Sequence, residues 1–186
     1  MALTTMDKNT ALIVIDLQKG IVGLPTAHPI GDIIKHSCAL LAAFRHRGLP
    51  VVLVNVTGVS PGRVEQSRHR GEFPPGWADL IPELNQQPQD HLVTKQTRGA
   101  FTGTDLDEYL KKQGVTQVVI VGVATSSGVE STARHAYENG FNVTLVSDAM
   151  TDRSLDEHTH SVTRIFPRIA ETGSTQDVID LLARSA

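Results

Sequence analysis

An α/β fold, with a three-layer, doubly wound, mainly parallel sheet of about six strands and helices on both faces, is predicted by two features of the chain. Four apolar, β-branched runs lack the polar alternation of a half-exposed strand, and segments of helical spacing separate them. Strands covered on both faces and alternating with helices require right-handed crossovers, which gives a Rossmann-like arrangement.

The first run, Ala11 to Ile15, is a buried strand that ends at Asp16-Leu17-Gln18-Lys19-Gly20. From Ile33 to Gly48 apolar residues recur three and four apart, and Gly48 is a stop signal. Cys38 belongs to this helix. Val51 to Val56 is the second strand. The stretch from Thr57 to Asp90, with five prolines, the sole tryptophan Trp77 and the basic residues Arg63, Arg68, His69 and Arg70, breaks the pattern. It reads as a long excursion with one helical turn near Ala78 to Leu84, of the kind that serves as a lid or a subunit contact.

A short strand then leads through Leu92-Val93-Thr94 to Lys95, and a helix runs from Asp105 to Lys112 before Gly114. The run Val118 to Val123 passes through the turn Ala124-Thr125-Ser126-Ser127-Gly128 into a helix from about Val129 to Glu138, which stops at Asn139-Gly140. Phe141 to Val146 is the next strand. Helices follow at Leu155 to Ile165 and Ser174 to Ala183, with a short strand around Arg168 to Glu171 between them.

The length suits a single domain spanning residues 1–186, able to bury a continuous core. A net charge of −3, from 17 basic and 20 acidic residues spread along the chain, offers no basic stripe for nucleic acid. One cysteine cannot form an internal disulfide, and no Cys/His cluster has the spacing of a zinc site. The N-terminal residues lack a secretory pattern, and no stretch approaches the roughly 20 apolar residues of a membrane helix. These observations predict a cytoplasmic protein with no membrane or nucleic-acid partner.

In open parallel sheets, ligands bind beyond the carboxyl ends of the strands. The polar residues there are few. Asp16 is either a turn former or a catalytic carboxylate. Lys95 either snorkels to solvent or serves the site. Thr125, Ser126 and Ser127 suit helix N-caps, but the turn also stands where free N–H groups stabilise negative charge. Asp148 suits a cap or turn, and His158 and His160 read as exposed helix residues whose spacing of two keeps them off a common face.

Asp16, Lys95 and Gly128 follow three strands whose ends converge on one crevice. With Ala-Leu-Ile-Val-Ile-Asp16-Leu-Gln, Lys95 with Gly99-Ala100-Phe101, Val-Gly122-Val-Ala-Thr125-Ser-Ser-Gly128-Val-Glu-Ser-Thr-Ala133-Arg134, and Ser147-Asp148-Ala149-Met150, the chain resembles the isochorismatase-like (cysteine) hydrolase superfamily. Members carry an aspartate and a lysine at the positions of Asp16 and Lys95, and a nucleophilic cysteine where this chain has Gly128. A glycine there resembles the isochorismatases proper, which cleave an enol ether without a covalent intermediate.

The resemblance therefore implies a hydrolase acting on a small carboxylate-bearing substrate, with Asp16 as general acid or base, Lys95 assisting and Gly128 in the reacting turn. A neighbouring lysine favours ionised Asp16, whereas burial favours the protonated acid. Gln18, Phe101, Ala124, Thr125, Ser127, Arg70 and Trp77 are the expected substrate-binding residues. An amidase using the Ser127 hydroxyl as nucleophile, and a binding homologue without catalysis, are the alternatives. The loop after the second strand, Thr57-Gly58-Val59-Ser60-Pro61, lacks the Asp-x-His pattern by which nicotinamidases of the family bind a metal, so no metal and no cofactor are expected. The resemblance also implies a cis peptide at Val123–Ala124 and a homodimer or homotetramer.

Overall fold

The computed structural model describes residues 3–65 and 72–184. Six parallel strands form one sheet: β1 (Thr10–Ile15), β2 (Val51–Val56), β3 (His91–Lys95), β4 (Gln117–Val123), β5 (Asn142–Thr151) and β6 (Glu171–Gly173). Their spatial order is β3-β2-β1-β4-β5-β6. The chain winds outward from β1 in one direction and resumes from its other side with β4, so the topological switch lies between β1 and β4.

Side chains of alternate strand residues point to opposite faces, and each face is covered. On one, Ala11, Ile13 and Ile15 pack with Leu106 and Leu110 of α3 (Leu106–Lys112) and with Ala133 and Ala136 of α4 (Glu130–Glu138). On the other, Leu12 and Val14 pack with Leu40, Leu41 and Phe44 of α2 (Ile30–His46) and with Val178 and Leu182 of α6 (Thr175–Arg184). A four-residue helix, α1 (Lys19–Val22), follows β1, and α5 (Leu155–His160) precedes β6.

The structure departs from the sequence reading in four places. Helix α2 begins at Ile30, three residues before its apolar spacing becomes regular. The helix expected from Leu155 to Ile165 changes at Ser161 into a wider π-helical turn, Ser161–Ile165. The short strand after it lies at Glu171–Gly173, because Pro167 sits in a 3-10 turn over Phe166–Arg168. Strand β5 runs on to Thr151 by absorbing a bulge, a register shift against β4 between Ile120 and Gly122.

Among its described residues the excursion after β2 holds only a short 3-10 turn at Pro82–Leu84, and it lies along the exit of β1. Backbone N–H groups of Lys19 and Gly20 donate to the carbonyls of Asp79 and Trp77, and that of Ile81 to Leu17. Among the described residues no helix is long and apolar enough to cross a membrane.

Candidate active site

The switch point carries the site. Ile15 pairs in register with Gly122, so the residues leaving β1 and β4 emerge side by side. Gly122 has φ +115, and any Cβ there would overlap the Ile15 carbonyl; only glycine permits this approach. Asp16, immediately beyond, adopts φ 51, a left-handed conformation that non-glycine residues enter at a cost. Its N–H donates to the Val54 carbonyl, which ties the strained residue to β2.

Lys95, at the end of β3, reaches the same point. It does not snorkel: its residue is 2% exposed, and Nζ donates to Asp16 Oδ2 at 2.7 Å and to the Thr97 carbonyl at 3.2 Å. Asp16 is 6% exposed, and its other oxygen, Oδ1, is buried with no hydrogen-bond partner among the described residues. Burial raises the Asp16 carboxyl from 3.8 to about 6, against the opposing pull of Lys95. Desolvation thus outweighs the ion pair, and the acid holds its proton into the mildly acidic range.

Gly128 stands opposite. A Cβ built on it would lie 3.4 Å from Asp16 Oδ2, 3.0 Å from Ile15 Cγ2 and 3.5 Å from the Val123 carbonyl. A side chain at this position would therefore lie beside the carboxylate, and glycine leaves that space without a nucleophile. The Val123–Ala124 peptide is cis, as the resemblance implied. The residues after it, Thr125–Val129, form one π-helical turn in which Ser127 and Val129 both donate to the Ala124 carbonyl. Thr132 Oγ1 donates to the Gly128 carbonyl and accepts from the Ala100 N–H, joining this turn to the loop after Lys95.

The other expected binding residues are arranged differently. Gln18 is fully buried and holds backbone: its amide donates to the carbonyls of Val56 and Trp77 and accepts from the Val56 N–H. Trp77 stacks on Phe73 with ring centroids 3.9 Å apart and covers Gly20, where any Cβ would overlap the indole. Both fasten the excursion to the exit of β1. Phe101 is turned into the apolar layer under α3 and α4 and lies against Phe141, with centroids 6.2 Å apart. Ala124 and Ser127 are half-buried in the turn, Thr125 is fully buried, and Arg70, with Arg68 and His69, lies outside the described residues.

Two residues of the site escaped sequence reasoning. The Asp152 carboxylate accepts the Ser126 N–H at 2.7 Å, so the protein's own anion already occupies one N–H of the turn. His158, expected on the surface, is 8% exposed, and its Nδ1 lies 2.8 Å from Thr125 Oγ1. Asp148 caps α6, accepting from the Thr175 N–H and hydroxyl. Among the described residues no group of three or more His, Cys, Asp or Glu side chains is arranged to hold a metal ion.

Comparison with known proteins identifies the family and agrees with the fold. The isochorismatase domain model matches residues 10–177. The isochorismatase family protein YecD of Escherichia coli O157:H7 is 38% identical over 186 residues, covering 94% of this chain and 97% of that one. Nicotinamidase 3 of Arabidopsis thaliana is 31% identical over 163 residues, 84% of this chain and 79% of its own. The solved structure of an isochorismatase family protein from Burkholderia thailandensis superposes with a TM-score of 0.92 at 42% identity, covering 96% of this chain and 98% of that one. The chain belongs to the isochorismatase family of hydrolases.

Proposed function

We propose that this protein hydrolyses the enol ether of a small carboxylate-bearing substrate, with Asp16 as the proton donor and no covalent intermediate. The observation that carries the reading is Asp16 itself: a buried carboxyl raised to about 6, its Oδ1 without a partner among the described residues, beside a residue that offers no nucleophile. An enol ether needs such a group, because its carbon–carbon double bond is activated by protonation.

Asp16 Oδ1–H gives its proton to the terminal carbon of the double bond, and the ether oxygen stabilises the resulting oxocarbenium ion. Water adds to the cationic carbon that bears the ether oxygen, and one of its protons returns to the Asp16 carboxylate. The hemiketal then collapses, its hydroxyl proton passing to the departing oxygen, to give an alcohol and a 2-oxo acid. Lys95 stays on Oδ2, where its charge stabilises the carboxylate as it forms. The strain at Asp16 and the bond to Lys95 hold the acid in one orientation.

The test is turnover of a panel of enol ethers of hydroxy acids beside a panel of small amides, with intact-protein mass spectrometry during the reaction. Enol-ether cleavage without a mass increment supports the reading. Amide cleavage with an acyl group on Ser127 would replace it with the amidase suggested by the nicotinamidase relative. Binding without turnover would leave a small-molecule-binding homologue.

A further inference from the structure

The turn that carries Gly128 is held from a second side by groups outside the Asp16–Lys95 pair. Thr125, fully buried, places its hydroxyl 2.8 Å from His158 Nδ1. The His158 ring meets that of His28 edge-on, with centroids 4.6 Å apart. His28 lies 3.0 Å from Thr151 Oγ1 through Nδ1, and its backbone N–H donates to the same hydroxyl. Asp152 adds the carboxylate that accepts the Ser126 N–H. The loop before α2, the end of β5 and the start of α5 thus meet on the first two residues of the turn.

The direction of the Thr125–His158 bond depends on which ring nitrogen carries the imidazole proton. A hydroxyl carries one proton, and a buried one with no acceptor is penalised. If Thr125 donates, Nδ1 accepts and the ring proton sits on Nε2. The surroundings favour a neutral ring: burial and His28 hold the imidazole below its ordinary pKa, with Asp152 opposing. Glu130, at the start of the adjoining helix, is engaged by the Ser161 hydroxyl and by Arg134.

We propose that His158 is a positioning residue for the reaction at Asp16: as the Nε2–H imidazole it accepts the Thr125 hydroxyl proton and so fixes the 124–128 turn, with Gly128, opposite the acid. This rests on the reading of the Asp16 site as catalytic. His158 touches neither Asp16 nor Lys95 and acts through Thr125 alone. Misplacing reacting groups by about 1 Å lowers rates on the order of 100-fold, so a turn released from this bond loses kcat before it loses the fold.

The test pairs nitrogen-15 NMR of the histidine rings with two variants. Wild-type His158 is expected to be neutral with its proton on Nε2 at pH 7; a proton on Nδ1 overturns the proposal. His158→Leu removes the acceptor and is expected to lower kcat by about 10- to 100-fold with little change in KM. His158→Asn, whose side-chain oxygen can replace Nδ1, is expected to restore most of kcat. Equal kcat in Leu and wild type, or no rescue by Asn in a folded variant, overturns the proposal. Should the Leu variant fail to fold, Asn and the ring proton decide it. If wild type leaves every enol ether intact, the proposed function fails; the crystal structure of the Leu variant then decides His158, a displaced 124–128 backbone supporting it and an unmoved one overturning it.

Discussion

Two buried aspartates in this molecule each face a basic side chain, and their surroundings differ in nearly every other respect. Asp90 is gripped by Arg45 through two bonds, Nε at 3.3 Å to Oδ1 and Nη2 at 2.6 Å to Oδ2, and Oδ2 also accepts the Gln87 N–H. Both oxygens are satisfied, and the pair fastens α2 to the loop before β3. Asp16 has one bond to Lys95, an Oδ1 with no partner among the described residues, a left-handed backbone and a carboxyl raised to about 6. A pair that serves structure completes its hydrogen bonds; a pair that serves chemistry leaves one open.

Substitution should separate the two pairs. Asp16→Asn keeps the shape and removes the proton, and kcat/KM for enol-ether hydrolysis is expected to fall by about 10²- to 10⁴-fold in steady-state assays. A loss of less than threefold would erase the distinction. Arg45→Met should do the reverse: it leaves Asp90 buried and unpaired, lowering stability by about 3–5 kcal/mol in denaturant titrations, while activity per folded molecule is retained.

The pH dependence of stability sharpens the contrast. The Asp16 carboxyl binds its proton more tightly folded than unfolded, so between pH 3.8 and about 6 the unfolded chain loses the proton first. Its contribution to stability is therefore favourable at low pH and is lost as pH rises through that window, by about 3 kcal/mol at most. Asp16→Asn should remove this slope in urea titrations at pH 4 and pH 7. The smallest effect belongs to a third carboxylate, Asp148, a partly exposed cap with ordinary bonds to Thr175. Asp148→Ala should cost about 1 kcal/mol by thermal melting and leave turnover unchanged.

The sheet and most of the site were legible because apolar strands announce themselves and their ends are short. Asp16 follows its apolar run directly, Lys95 closes β3 and Gly128 lies in the turn that leaves β4, so strand counting brings them to one crevice. Asp152 and His158 were hidden by the second half of β5, where Ser147-Asp148 interrupts the apolar run and reads as a strand end, while the chain bulges and continues to Thr151. The burial of His158 depends on Thr125 and His28, residues far apart in sequence. Gln18 and Trp77 hold the excursion against the exit of β1 and Phe101 packs on the apolar layer, through contacts with residues distant in sequence.

The pH profile of kcat/KM for enol-ether cleavage tests the central claim, that Asp16 acts as an acid whose proton is retained by burial and opposed by Lys95. The rate should be level below about pH 6 and fall tenfold per unit above it, and Lys95→Met should move that limb upward by about 1–3 pH units. A rate that stays level or rises between pH 6 and 8, or a limb that Lys95→Met leaves in place, would contradict it.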